Sequence, residues 1–120
     1  MTPFGLRLRS LRKDKGVTLA QMAEALNISS AYLSALEHGK RGRPSWYLVQ
    51  RIIAYFNVIW DDAEHLAELA RLSHPRIAID TAGLSPNATE LANRLARDMG
   101  KLDDETLAAL LDVLNRSKRR

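Results

Sequence analysis

The chain has 120 residues, 46% of them hydrophobic and 27% charged, with a net charge of +4 and no cysteine. That length holds one domain, or one domain and an appendage, and the composition is that of an ordinary globular protein. Disulfides and zinc-thiolate sites are excluded, no apolar run approaches the roughly 18 residues of a spanning helix, and MTPFGLRLRSLRK lacks the apolar core of a signal peptide; a cytoplasmic protein without membrane contact is expected.

Charge is unevenly placed. Residues 1–60 carry nine Lys/Arg against three Asp/Glu, residues 61–115 carry five against eleven, and the tail 116–120 adds four cations. A basic front half beside an acidic segment points to nucleic acid held by the first and a separate task for the second.

Pro3 suits the first turn of a helix in which Phe4, Leu8 and Leu11 recur at i, i+4 and i+7, and Gly16 ends it after Lys15. Thr18 offers an N-cap oxygen to a second helix, where Leu19, Met22, Ala23 and Leu26 share one face. Asn27 tolerates positive φ, Ile28 plugs the angle, and Ser29 caps a third helix with Leu33 and Leu36 inward and Ser30, Ala31, Ser34 and Ala35 outward. Gly39 stops it. The loop KRGRPS follows, combining glycine-exposed amides with the cations Lys40, Arg41 and Arg43, which is what phosphate oxygens require.

Pro44 and Ser45 open a fourth helix with the stripe Val49, Ile52, Ile53 and Phe56, and Asn57 ends it. Asp61 and Glu64 have the spacing of a capping box for a fifth helix, with Leu66, Leu69, Ala70 and Leu72 expected inside. His65 stands among Asp61, Asp62, Glu64 and Glu68, but helix capping explains these carboxylates and no metal site is expected. His74-Pro75 breaks the pattern, and residues 74–84 read as a linker with room for a short extended piece at RIAIDTAG. Ser85 and Pro86 start a sixth helix with Ala88, Leu91, Ala92, Leu95 and Met99 on one face, Gly100 ends it, and Asp103 caps a seventh carrying Leu107, Leu110, Leu111 and Leu114. Such a hairpin, 85–115, hides only one face by itself. It must pack on the earlier helices or on the same hairpin of another chain, with Leu91, Leu95, Met99, Leu107, Leu110, Leu111 and Leu114 as the dimerisation residues; the tail 116–120 is expected to be disordered.

From Phe4 through Val58, FGLRLRSLRKDKGVTLAQMAEALNISSAYLSALEHGKRGRPS and the apolar helix after it, the chain resembles the phage-repressor family (Cro/repressor type, also called xenobiotic-response-element-like) in helix order, spacing and the GK-R-PS loop. The resemblance implies an all-α fold: a five-helix repressor-type helix-turn-helix domain at 1–73, followed here by the C-terminal helical hairpin. It implies that the third helix, Ser29 to His38, enters the DNA major groove and that Arg12 pairs with Glu37 to pin the first helix to it. Candidate DNA-binding residues are Thr18, Gln21, Ser29, Ser30, Ala31, Tyr32, Ser34, Ala35, His38, Lys40, Arg41 and Arg43. Two departures matter. Small residues stand where Gln, Asn or Arg are frequent and Leu19 where Gln is, so thymine methyls, water and DNA shape carry specificity, or Tyr32, Gln21 and His38 contribute more. The basic loop is also one residue longer than usual.

The reading that follows is a dimeric, sequence-specific transcriptional regulator, a repressor, with double-stranded DNA as partner and no cofactor. The alternative is an antitoxin-type interaction module that also binds its own operator and holds a protein partner on its acidic C-terminal segment. No enzyme is expected, because Ser29, Ser30 and Ser34 have no base at hand and no nucleophile-base constellation is present.

Overall fold

Four of the first five helices begin on a hydroxyl and end on a residue in the left-handed conformation. In the computed structural model, which describes residues 1–117, these are α1 (Pro3–Lys15), α2 (Leu19–Leu26), α3 (Ser30–Glu37) and α4 (Trp46–Tyr55). Thr2, Thr18, Ser29 and Ser45 each accept a hydrogen bond from the amide three residues on, at 3.0 to 3.1 Å. Gly16, Asn27, Gly39 and Asn57 then sit at φ between 53° and 75°. Behind each, the next amide reaches back to the last turn: Val17 to Arg12, Ile28 to Ala23, Lys40 to Ala35 and Val58 to Ile53, at 2.8 to 3.0 Å. These 6→1 bonds satisfy carbonyls that a helix end otherwise leaves bare, so each turn is defined by its own sequence.

The fifth helix, α5 (Trp60–Arg71), starts differently. Its N-cap is Ile59, no side chain caps it, and Trp60 takes φ 54°. The expected Asp61–Glu64 capping box does not form, because the helix begins two residues early and Asp61 already lies inside the first turn. There Asp61 and Asp62 face the positive end of the helix dipole instead.

The apolar stripes of these five helices converge on one core. Phe4 and Leu8 from α1, Met22 from α2, Leu33 and Leu36 from α3, Ile52 from α4 and Leu66 from α5 are fully buried. Leu11, Leu19, Ile53, Phe56 and Leu69 pack against them while remaining partly exposed. Leu72 is the exception to the expected set: it lies at the C-cap of α5, where the 3.6-residue period ends, and is exposed. The next residue, Ser73, turns inward in its place. Its hydroxyl accepts from the Phe4 amide at 2.9 Å and donates to the Leu69 carbonyl, joining the end of α5 to the first turn of α1. This gives one of the free amides of α1 a buried partner.

Gly5 allows a close backbone approach between α1 and α3. A Cβ built there would collide with the backbone carbonyl of Glu37, and Thr2 donates its amide to that same carbonyl at 2.9 Å. On an exposed helix Gly→Ala stabilises by about 0.5 to 1 kcal/mol. Here the sign reverses. Gly5→Ala is expected to lower stability by about 2 kcal/mol through overpacking, read as a fall in thermal midpoint; an unchanged or raised midpoint would show that α1 and α3 are not in backbone contact.

Residues Met1–Ile77 form one compact unit, and a second starts at Ala78. Between Arg71 and Pro86 there is neither helix nor strand, so RIAIDTAG forms no ladder. The second unit holds α6 (Pro86–Asp98), a 3-10 turn (Met99–Lys101) and α7 (Asp104–Ser117). Ser85 and Asp103 cap the two helices as their positions predict. Helix α7 continues through Ser117, two residues beyond the expected limit of 115; positions 118–120 of the expected tail lie outside the described residues. Neither α6 nor α7 has a buried residue. No described helix is long and apolar enough to cross a membrane.

Candidate nucleic-acid interface

The α2-turn-α3 segment is built from local chemistry. Thr18 and Gln21 make a reciprocal capping box, the Gln21 amide donating to the Thr18 hydroxyl at 3.0 Å and the Thr18 amide to Gln21 Oε1 at 2.8 Å. Gln21 therefore has its carbonyl oxygen committed and its two amide N–H donors free. Across the turn, Ser29 caps α3, leaving the amides of Ser30 and Ala31 at the helix start with no partner inside the helix.

The outward face of α3 is smooth. Ser30 and Ala31 are exposed, Ser34 and Ala35 half-buried, and Tyr32 half-buried with its ring against the core. His38 at the C-cap donates its Nδ1–H to the Ser34 carbonyl at 2.9 Å, which leaves Nε2 free. Small side chains over the first turn let the helix backbone come close to whatever surface it meets.

Glu37 holds that helix at a fixed angle to α1. Its side chain is 2% exposed and forms a two-pronged ion pair with Arg12, itself 11% exposed, Nη1 bonding Oε2 and Nη2 bonding Oε1. The planar guanidinium fork matches the carboxylate in a way a lysine could not. With the Glu37 carbonyl also bonded to Thr2 and pressed against Gly5, three contacts from α1 converge on one residue of α3. The ion pair is visible in the sequence through the resemblance; Gly5 and Thr2 are not, since a mid-helix glycine carries no signal of what it faces.

Lys40, Arg41 and Arg43 are all exposed in the loop after α3, around Gly42 at φ 76°. Arg41 lies over the ring of Tyr32, its Cζ 5.9 Å from the centroid. At the start of α4, Trp46 and Tyr47 are 74% and 68% exposed, and Arg51 lies 5.9 Å from the Tyr47 ring centroid. Elsewhere in the unit, Lys15 donates to the Tyr55 carbonyl at 2.6 Å and sits 4.3 Å over its ring, closing the end of α4. Cations thus border the outward face of α3 on its C-terminal side, while the acidic first turn of α5 belongs to a different helix.

Residues 3–67 match the family described as "Helix-turn-helix domain". The chain is 39% identical over 62 residues to the HTH-type transcriptional regulator RghRB of Bacillus subtilis (strain 168), a match covering 52% of this chain and 45% of that protein. It is 32% identical over 55 residues to the HTH-type transcriptional regulator SinR of the same organism, covering 46% of this chain and 50% of SinR. Against the HTH-type transcriptional repressor RghR of that organism it is 36% identical over 52 residues, covering 43% and 38%. These matches span half or less of the length of each relative. Because the family match takes in all of α1 to α4 and most of α5, with the capped turn between α2 and α3 at its centre, the chain belongs to the helix-turn-helix domain family.

Proposed function

We propose that this protein is a DNA-binding transcriptional regulator, a repressor, that lays α3 in the major groove. The observation that carries this reading is the outward face of α3, small and exposed at Ser30 and Ala31 and fixed in angle by the buried Arg12–Glu37 pair. The first-turn amides of α2 and α3 supply donors for phosphates, and Lys40 and Arg43 supply the charge that releases counterions. Thr18, Ser29 and Gln21 act by presenting those helix starts. DNA being the partner, its work is done in the cytoplasm.

Specificity requires two such helices. One recognition helix touches only a few base pairs, and a two-fold dimer offers a second about 34 Å away on the same face of the duplex. The support for dimerisation lies in the second unit, where Leu91, Met99, Leu110, Leu111 and Leu114 are exposed and Leu95 and Leu107 only half-buried. A like hairpin across a two-fold axis covers such a surface.

The test is electrostatic. Replacing Lys40 or Arg43 by alanine is expected to weaken binding to specific and random duplexes alike and to lower the slope of log K against log salt by about one. A slope that stays the same in both variants removes these residues from the phosphate contacts.

A further inference from the structure

The outward face of α3 has a gap in its chemistry: Ser30, Ala31, Ser34 and Ala35 are too short to make a two-pronged hydrogen bond to a base. A long donor close to the front of the helix comes from outside it. Arg41 belongs to the loop, yet its guanidinium lies against Tyr32, a first-turn residue of α3, nine positions back in the chain. The backbone is anchored just before it and turns just after it. The Lys40 amide is bonded to the Ala35 carbonyl at 2.8 Å and Gly42 turns the chain at φ 76°. The platform is fixed as well, because the Tyr32 ring is half-buried against the core.

Resting on the DNA-binding reading above, we propose that Arg41, held on the Tyr32 ring, is the residue that reads a guanine in the major groove, while Lys40 and Arg43 bind phosphates. A guanidinium placed over an aromatic ring 5.9 Å from its centroid spends none of its N–H donors on that contact, so the fork that O6 and N7 of guanine accept stays available. Recognition helices reach bases from their N-terminal residues, and Tyr32 stands in that turn. A pre-placed side chain also loses less rotamer freedom on binding than a free one. Tyr32 is then a positioning residue.

The experiment uses the full chain and the best duplex selected from a random pool, with each guanine of a half-site changed in turn to adenine. In the wild type, one guanine per half-site is expected to cost about tenfold or more. Arg41→Lys keeps the charge without the fork: it should retain binding to random duplex and the salt slope while that one penalty shrinks, and Arg41→Ala should abolish it. Tyr32→Phe, which keeps the ring, should preserve the penalty, and Tyr32→Leu, checked for an unchanged helical spectrum, should reduce it. If Arg41→Lys and Arg41→Ala leave every guanine penalty intact, and Arg41→Ala weakens selected and random duplexes equally, Arg41 is a phosphate clamp and the proposal is wrong. If the wild type shows no preference among duplexes, the DNA-reading function itself fails and this proposal with it.

Discussion

Arg12→Ala is expected to destabilise the first unit by about 3 kcal/mol, because it leaves the Glu37 carboxylate buried without its partner. An exposed ion pair contributes only about 0 to 1 kcal/mol, so the magnitude itself reports whether the pair is inside. Burial favours the larger figure: Glu37 is 2% exposed, and the remaining polar contact to its residue, from Thr2, goes to the backbone carbonyl and does nothing for the carboxylate. The double variant Arg12→Met/Glu37→Leu should be much milder than either single change, since apolar residues of similar volume often replace a buried pair at little cost. Its DNA affinity should still fall, because of the contacts that fix the angle of α3 only the backbone ones, Thr2 and Gly5 on the Glu37 carbonyl, would remain. A denaturant titration of the single variant giving less than about 0.5 kcal/mol would place the pair at the surface.

Truncation after Ala82 is expected to give a folded monomer whose affinity for its operator is lower by about 100-fold or more. The fold should survive because every fully buried side chain among the described residues lies in the first unit, Met1–Ile77. Affinity should collapse because two linked recognition helices bind with an effective concentration that a lone one cannot match, a gain of about 10² to 10⁴. Light scattering separates this from the alternative in which the chains associate through the first unit: a truncated protein that remains dimeric removes the hairpin from that role.

Much of the fold was legible because it rests on local chemistry. Thr18, Ser29, Ser45 and Ser85 mark helix starts, and Gly16, Asn27, Gly39 and Asn57 mark ends, by interactions that span only a few residues. Apolar spacing likewise gave the core faces of α1 to α5. What the sequence hid were contacts between distant segments. Ser73 and Phe4 are 69 positions apart, and nothing near Ser73 signals that its hydroxyl serves another helix. Gly5 looks like a weak point in a helix until the Glu37 carbonyl is found beside it. The Asp61–Glu64 spacing misled for a related reason: a capping pattern shifted by two residues is still a pattern, and only the true start of α5 at Trp60 shows that it cannot close.

The candidate interface divides in the same way. The exposure of Ser30 and Ala31 follows from helical spacing, whereas Ser34 and Ala35, expected outward as well, are half-buried. From the sequence, Tyr32 is a candidate only as a side chain that touches DNA. Its half-burial and its place beneath Arg41 depend on how the loop returns across α3, which no periodicity encodes.

Selecting bound fragments from sheared genomic DNA tests the central claim most directly, because it assumes neither an operator nor a partner. The chain with both units should enrich a small set of fragments that share an inverted repeat, its half-sites centred about 34 Å apart, one helical turn of duplex. Enrichment no better than that of random fragments, or a shared element without two-fold symmetry, would contradict a dimer that reads DNA through α3.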